Sequence, residues 1–322
     1  MDVILELARA NLLSPMVLFF VLGLGATLAR SDLRVPEAMA KGMSLYLMLA
    51  IGLKGGASVA HHGVDGTLLA ALLAGLVLSA LLPLVAYRLL TWTSGLPRVD
   101  AAAVAAHYGS ISIVTFLAAC QSLDGRGVAY GGYMVAVAAA METPAIIMGL
   151  WLGRRGDASA ATAGTLREVF LNGSIVVLIG SFAIGWVTGK EGLASVAPFV
   201  VEPFKGVLCL FLLDMGVIAG SGLREARKSL TLPVVLFGLY MPLVGAGLGL
   251  AAALLIGLST GSAALMTTLA ASASYIAVPA ALRLALPEAR PSIYLPLSLG
   301  VTFPFNLTIG IPLYLTLASL VT

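Results

Sequence analysis

Two short polar runs, Ser110-Ile111-Ser112 and Ser272-Ala273-Ser274, stand inside long apolar stretches, HYGSISIVTF and LAASASYIAV. Unpaired backbone polar groups are too costly in lipid unless they line a cavity or lie buried in protein. Each run is therefore best read as a break in a helix, exposing a half-helix N-terminus with free N–H groups and about half a positive charge. Serine is a favoured cap at such an end, and two facing ends make an anion site. Neither run contains Arg or Lys, so the anion would be small and held by hydroxyls, amides and dipoles. Glu142, in AAMETPAI beside Pro144, and Asn306, in VTFPFNLTIGIP between Thr302 and Thr308, add a carboxylate, an amide and hydroxyls. These hard oxygen ligands suit an alkali cation. Two blander readings stand beside these: small residues used for close helix packing, and a protonated Glu142 in a helix–helix hydrogen bond.

The elements that must position these residues are membrane helices. The chain has 322 residues, of which 60% are hydrophobic and 10% charged, with a mean hydropathy of +1.03. A soluble domain carries about 25% charged residues. Ten stretches are long and apolar enough to cross a bilayer: 12–30, 38–54, 66–92, 99–120, 127–152, 166–188, 198–221, 231–257, 260–285 and 291–320. The start, MDVILELARANLLSP, reads as an interfacial lead-in and not as a signal peptide. With the N-terminus outside, thirteen of the 18 Lys and Arg residues fall on inward connections. They are Arg30, Arg34, Lys41, Arg88, Arg98, Arg154, Arg155, Arg167, Arg224, Arg227, Lys228, Arg283 and Arg290. Arg9, Lys54, Arg126, Lys190 and Lys205 fall outside. The bias places both termini on the outer face.

The two halves of the chain match. LYLMLAIGLKGG aligns with a segment ending LLDMGVIAG, setting Gly52 on Gly216 and Gly56 on Gly220. HYGSISIVTFLAA aligns with LAASASYIAVPAA, setting Ser110 on Ser272 and Ser112 on Ser274; the same register brings Glu142 opposite Asn306. Five spans per half is odd, so the second half inserts upside down, the inverted repeat of secondary transporters. The expected fold is thus all-α, ten transmembrane helices in a five-plus-five inverted repeat with discontinuous fourth and ninth helices. Residues 1–152 form the first repeat, 153–165 a short cytoplasmic linker and 166–322 the second repeat.

Other polar residues are less telling. Asp214 and Lys54 lie four positions apart in the repeat register and could pair or face a vestibule; Lys54 could equally snorkel. His107 reads as a hydrogen-bonded helix residue or a gate, and His61 and His62 as surface residues of an outer loop. Cys120 and Cys209 are packing residues, and the glycines at 23–25 and 245–249 serve helix contacts. No zinc-protease, nucleophile-elbow, Walker or redox-cysteine motif is present, so neither an enzyme nor an ATP-driven pump is indicated, and no transition metal. A net charge of +3 without a basic stripe gives no case for nucleic acid.

AAHYGSISIVTF, IGLKGG, LLDMG and METPAI together resemble the SbtA-type sodium-dependent bicarbonate transporters of bacteria, over nearly the whole chain. The resemblance implies a symporter of the bacterial inner membrane that imports bicarbonate with Na+ as the coupling ion and no other cofactor. It implies an elevator motion, with a gate domain of spans 1, 2, 6 and 7 and a core domain of spans 3–5 and 8–10, and a homotrimer. Carried over by position, the anion site would use Ser110, Ile111, Ser112, Ala271, Ser272, Ala273 and Ser274. The sodium site would use Thr115, Glu142, Ser274, Tyr275, Thr302, Phe303 and Asn306. The family's soluble PII-like regulator docks on the cytoplasmic side. Here the connection GRRGDASAATAGTLRE is shorter than in familiar cyanobacterial members, a departure that bears on that partnership. A transporter of another small anion, a cation/proton antiporter working through Glu142, and a non-transporting membrane receptor for a soluble signalling partner are the competing readings.

Overall fold

The computed structural model describes residues 13–62, 65–154, 173–225 and 230–322, and every regular element among them is helical. In chain order the helices are α1 (Pro15–Leu28), α2 (Glu37–His62), α3 (Gly66–Thr93), α4 (Arg98–Gly109), α5 (Ile113–Gly125), α6 (Met134–Ala140) and α7 (Glu142–Gly153). There follow α8 (Gly173–Val200), α9 (Phe204–Glu225), α10 (Leu232–Leu255), α11 (Thr260–Ala271), α12 (Ala277–Ala285), α13 (Pro291–Leu297), α14 (Phe303–Phe305) and α15 (Ile311–Val321). Two five-residue π-helical turns, Ser298–Thr302 and Asn306–Gly310, flank α14. Among the described residues eight helical segments are long and apolar enough to span a membrane. Two expected spans fall outside that set: α1 is a shorter apolar helix, and residues 260–285 are divided between α11 and α12.

Several boundaries differ from the sequence expectation for local reasons. α2 continues to His62, so His61 and His62 lie in its last turn and not in a loop. The fifth stretch becomes helical only at Met134, after Gly127 takes a left-handed φ of 68°. Gly189, at φ 62°, bends α8 where the sixth span was expected to end, and the helical residues beyond it delay the seventh to Phe204. Most of the linker at 153–165, and Arg9, Arg155, Arg167, Arg227 and Lys228, lie outside the described residues.

Burial follows side-chain size. α4 begins RVDAAAVAAHYG, and its six residues from Ala101 to Ala106 are wholly buried. A helix that is small and apolar on all sides admits neighbours on all sides. α8 does the opposite, exposing Ile179, Ile184 and Val187 on a surface fit for acyl chains. α8 packs along α2, and α9 along α1. Both pairs rest on glycine: a Cβ on Gly52 would strike the Ser181 hydroxyl, and one on Gly56 the Phe182 carbonyl. In the other pair, a Cβ on Gly216 would strike the Phe20 carbonyl and one on Gly23 the Leu213 carbonyl. Glycine pairs four residues apart allow this backbone approach in membrane helices. Gly56→Val should therefore lower stability by at least about 1–3 kcal/mol, the cost of overpacking. Thermal unfolding in detergent checks this. A second set of helices packs together: α3 with α4, α4 with α7, α10 with α11 and α11 with α15, with α10 resting on α3.

Candidate functional site

The centre of the second set is built where two helices stop short and cross. α4 ends at Gly109, Ser110 takes extended backbone (φ −87°, ψ 150°), and α5 starts at Ile113 with Ser112 as its N-cap. The Ser112 hydroxyl accepts from the Thr115 amide (3.2 Å) and from the Thr115 hydroxyl (2.9 Å). α11 ends at Ala271, Ser272 is again extended (φ −85°, ψ 164°), and α12 starts at Ala277. Gly109 permits the turn-off, because a Cβ there would collide with the ring of Pro83 and meet the Ser79 carbonyl at 2.9 Å.

The two interruptions are tied to each other through backbone groups that helix ends leave free. The Ser112 amide donates to the Ser272 hydroxyl at 2.9 Å, which itself donates to the Leu269 carbonyl at 2.8 Å. The Ser274 amide donates to the His107 carbonyl at 2.8 Å, and His107 Nδ1 hydrogen-bonds the Ser274 carbonyl. The His107 ring also stacks on Tyr294, with centroids 4.8 Å apart. All four serines are at least 97% buried, so water does not compete for these bonds.

Beside this crossing lies a cavity of about 20 Å³, lined by Ile111, Ser112, Glu142, Ser274, Tyr275 and, from α2, Met48. That volume holds roughly one water-sized species. Glu142 opens α7 after a one-residue interruption at Met141, and its Oε2 is buried without a hydrogen-bond partner. Tyr275 sits next to Ser112 and packs edge-on against Phe303, centroids 5.4 Å apart. A desolvated carboxylate with hydroxyls around a water-sized space has the donor set and dimensions of an alkali-cation site.

The structure thus brings Ile111, Ser112, Ser274, Tyr275 and Glu142 to one cavity and places the remaining candidates around it. Thr115 donates its amide and hydroxyl to the Ser112 cap; Ala271, Ser272 and Ala273 form the second turn-off. The Ser110 hydroxyl is buried and without a hydrogen-bond partner. Thr302 donates to the Gly238 carbonyl (2.7 Å) and hydrogen-bonds the Tyr108 hydroxyl. Asn306 donates to the Ala271 carbonyl (2.9 Å) and accepts from the Tyr314 hydroxyl (2.8 Å). Thr302 and Asn306 therefore brace neighbouring segments and do not line the cavity. Phe303 backs Tyr275. Lys54 is not paired with Asp214: its ammonium lies 3.4 Å from Asp124 on α5.

Three contributors escaped sequence reasoning. The Ser79 hydroxyl, on α3, donates to the Met141 carbonyl and accepts from the Ala145 amide at 3.2 Å, stitching the interruption that carries Glu142. A lone serine in an apolar span was the available signal. Ser79→Ala removes the hydroxyl that bonds both this carbonyl and this amide and should cost about 1–3 kcal/mol in thermal unfolding, the net worth of two hydrogen bonds. Met48 reaches the cavity from a helix outside the crossing and has no signal in its neighbours. Asp100, at the start of α4, is buried and receives the Arg290 amide (2.9 Å) and guanidinium (2.9 and 2.7 Å), clamping α4 to the start of α13.

No curated protein matches the chain. A sequence model of the Na+-dependent bicarbonate transporter superfamily matches residues 15–319, nearly the full length and every element of the site. With its many apolar helices, this multi-pass membrane protein belongs to the Na+-dependent bicarbonate transporter superfamily, a family of transporters and not of enzymes.

Proposed function

We propose that the protein is a symporter that couples Na+ influx to bicarbonate import. The observation that carries this reading is one small cavity lined by both the N-cap of α5 and Glu142, whose Oε2 is buried without a hydrogen-bond partner. Na+ would take Glu142 and the neighbouring hydroxyls. Bicarbonate would take the N–H groups at the starts of α5 and α12 and the serine hydroxyls beside them, its charge favoured by the positive ends of the helix dipoles. One Na+ cancels the charge of one bicarbonate, so the loaded site crosses the membrane neutral. Each further Na+ would add about 2.3 kcal/mol per 100 mV of potential. Both ligands bear on the same crossing. A cation that fixes its geometry raises affinity for the anion, and the reverse holds by linkage.

The movement proposed is of the elevator type, within ten spans arranged as an inverted repeat in which α4/α5 and α11/α12 are the discontinuous fourth and ninth. The glycine-packed pairs α1–α9 and α2–α8 would form the gate, and the bundle around the crossing the core. In support, the crossing is closed on itself by backbone hydrogen bonds and can travel as a unit, whereas Met48 alone carries the α2 wall into the cavity. Lys54–Asp124 spans the two bodies and would separate during the stroke. A homotrimer and both termini on the outer face of a bacterial inner membrane complete the reading; they rest on the resemblance and the Lys/Arg bias, while the short connection between the halves weighs against a PII-like cytoplasmic regulator.

Radiolabelled bicarbonate uptake into proteoliposomes at alkaline pH, with and without an inward Na+ gradient, tests the proposal. Accumulation that requires the gradient supports symport and excludes a receptor, which cannot concentrate its ligand. Proton-driven cation exchange without bicarbonate uptake would replace it with the antiporter reading, in which Glu142 carries the proton.

A further inference from the structure

A second cavity, of about 610 Å³, lies away from the crossing, where α1 ends, α2 begins and α9 runs toward its own end. Its size falls within the roughly 300–1,000 Å³ range of small-molecule sites. Arg30, Arg34, Arg224 and Glu37 line it together with Asp214 and Thr27. Asp214 is only 4% exposed, yet its Oδ2 has no hydrogen-bond partner. Among the described residues no guanidinium lies within ion-pair distance of it. A carboxylate closed off from bulk water and left uncompensated is costly, and a ligand cation would relieve that cost. The three arginines sharing the cavity offer the opposite charge, in the forked geometry that suits phosphate.

Arg30 adds an independent sign. It ends α1 at φ 63°, the left-handed conformation that favours glycine, with its amide donating to the Thr27 carbonyl at 3.0 Å. A bulky residue held there at a conformational cost points to a use for its side chain. The cavity opens where α1 ends and α2 begins and follows α9 inward to Asp214, midway along that helix. Ile218, 44% exposed, lines it, and Leu28 and Met39, 58% and 50% exposed, sit on the adjoining ends of α1 and α2, an apolar margin for acyl chains.

We infer that this cavity binds a phosphate ester bearing a primary ammonium, with phosphate on the arginines at its mouth and ammonium reaching inward to Asp214. The assignment concerns a site separate from the transport cavity and stands whether or not the protein carries bicarbonate.

Native mass spectrometry of the delipidated protein with phosphatidylethanolamine, phosphatidylcholine or phosphatidylglycerol tests it. A primary ammonium donates hydrogen bonds to Asp214, whereas the quaternary ammonium of phosphatidylcholine cannot and phosphatidylglycerol has no cation. Phosphatidylethanolamine should bind about tenfold more tightly than phosphatidylcholine, the value of one charge-assisted hydrogen bond. The isosteric Asp214→Asn should erase that preference, Asp214→Glu should retain part of it, and Arg34→Gln should weaken all three lipids. Thermal stabilisation by soluble phosphoethanolamine matching that by the lipid would keep the chemistry and assign a soluble ligand. Equal binding of phosphatidylethanolamine and phosphatidylcholine by the unaltered protein, or a preference that survives Asp214→Asn, would overturn the inference.

Discussion

Glu142→Gln should reduce Na+-driven bicarbonate uptake by at least about tenfold while leaving the fold intact. Glu142 Oε2 is buried beside a water-sized cavity and has no protein partner, so its charge is available to a bound cation. The amide keeps the shape and a neutral acceptor but removes the charge. A charge-assisted interaction is worth about 1.5–3 kcal/mol, and each 1.4 kcal/mol is tenfold in affinity. The Ser79 bonds to Met141 and Ala145 use only their backbone and survive the change, so α7 should keep its position. Uptake measured across a range of Na+ concentrations reads the effect as a rise in the Na+ needed for half-maximal transport. An unchanged Na+ dependence would move the cation elsewhere and leave Glu142 a structural residue.

Filling the cavity should be as damaging by another route. Ser274→Leu adds apolar volume to a space of about 20 Å³ and removes a hydroxyl that faces it. The bonds that lock the crossing run from the Ser274 amide to the His107 carbonyl and from His107 to the Ser274 carbonyl, and both belong to the backbone at position 274. They persist whatever the side chain. Uptake should fall to that of empty liposomes, while thermal stability drops by only about 1–3 kcal/mol, the usual cost of overpacking. Circular dichroism and unfolding of the purified variant separate loss of transport from loss of structure. Uptake close to that of the unaltered chain would show that the coupling ion does not occupy this cavity.

Much of this architecture is written in local composition. Apolar runs of membrane length, glycines at 52 and 56 and again at 216 and 220, and serines amid alanine and valine each act through backbone chemistry over a few residues. From them follow the helical class, the close-packed pairs and the places where α4 and α11 stop. A serine that must cap an exposed N–H in an apolar setting has few alternatives, so Ser112 and the turn-off at Ser272 were legible. Glu142 was legible because a carboxylate among apolar residues is expensive wherever it lands.

Which of these polar groups share a space was decided only by the tertiary structure. Asn306 and Thr302 have the right chemistry for a cation, but neither lines the cavity, and the Asn306 amide oxygen accepts from the Tyr314 hydroxyl. Lys54 and Asp214, close in the repeat register, are separated because Lys54 meets Asp124 while Asp214 opens on a different cavity. Met48 reaches the site from a helix whose own sequence says nothing of it, and Ser79 is marked only as a lone serine in an apolar span. Hydrogen-bond capacity and helix ends are properties of a short segment, whereas the choice of partner depends on which helices lie side by side, and that is set by packing over the whole bundle.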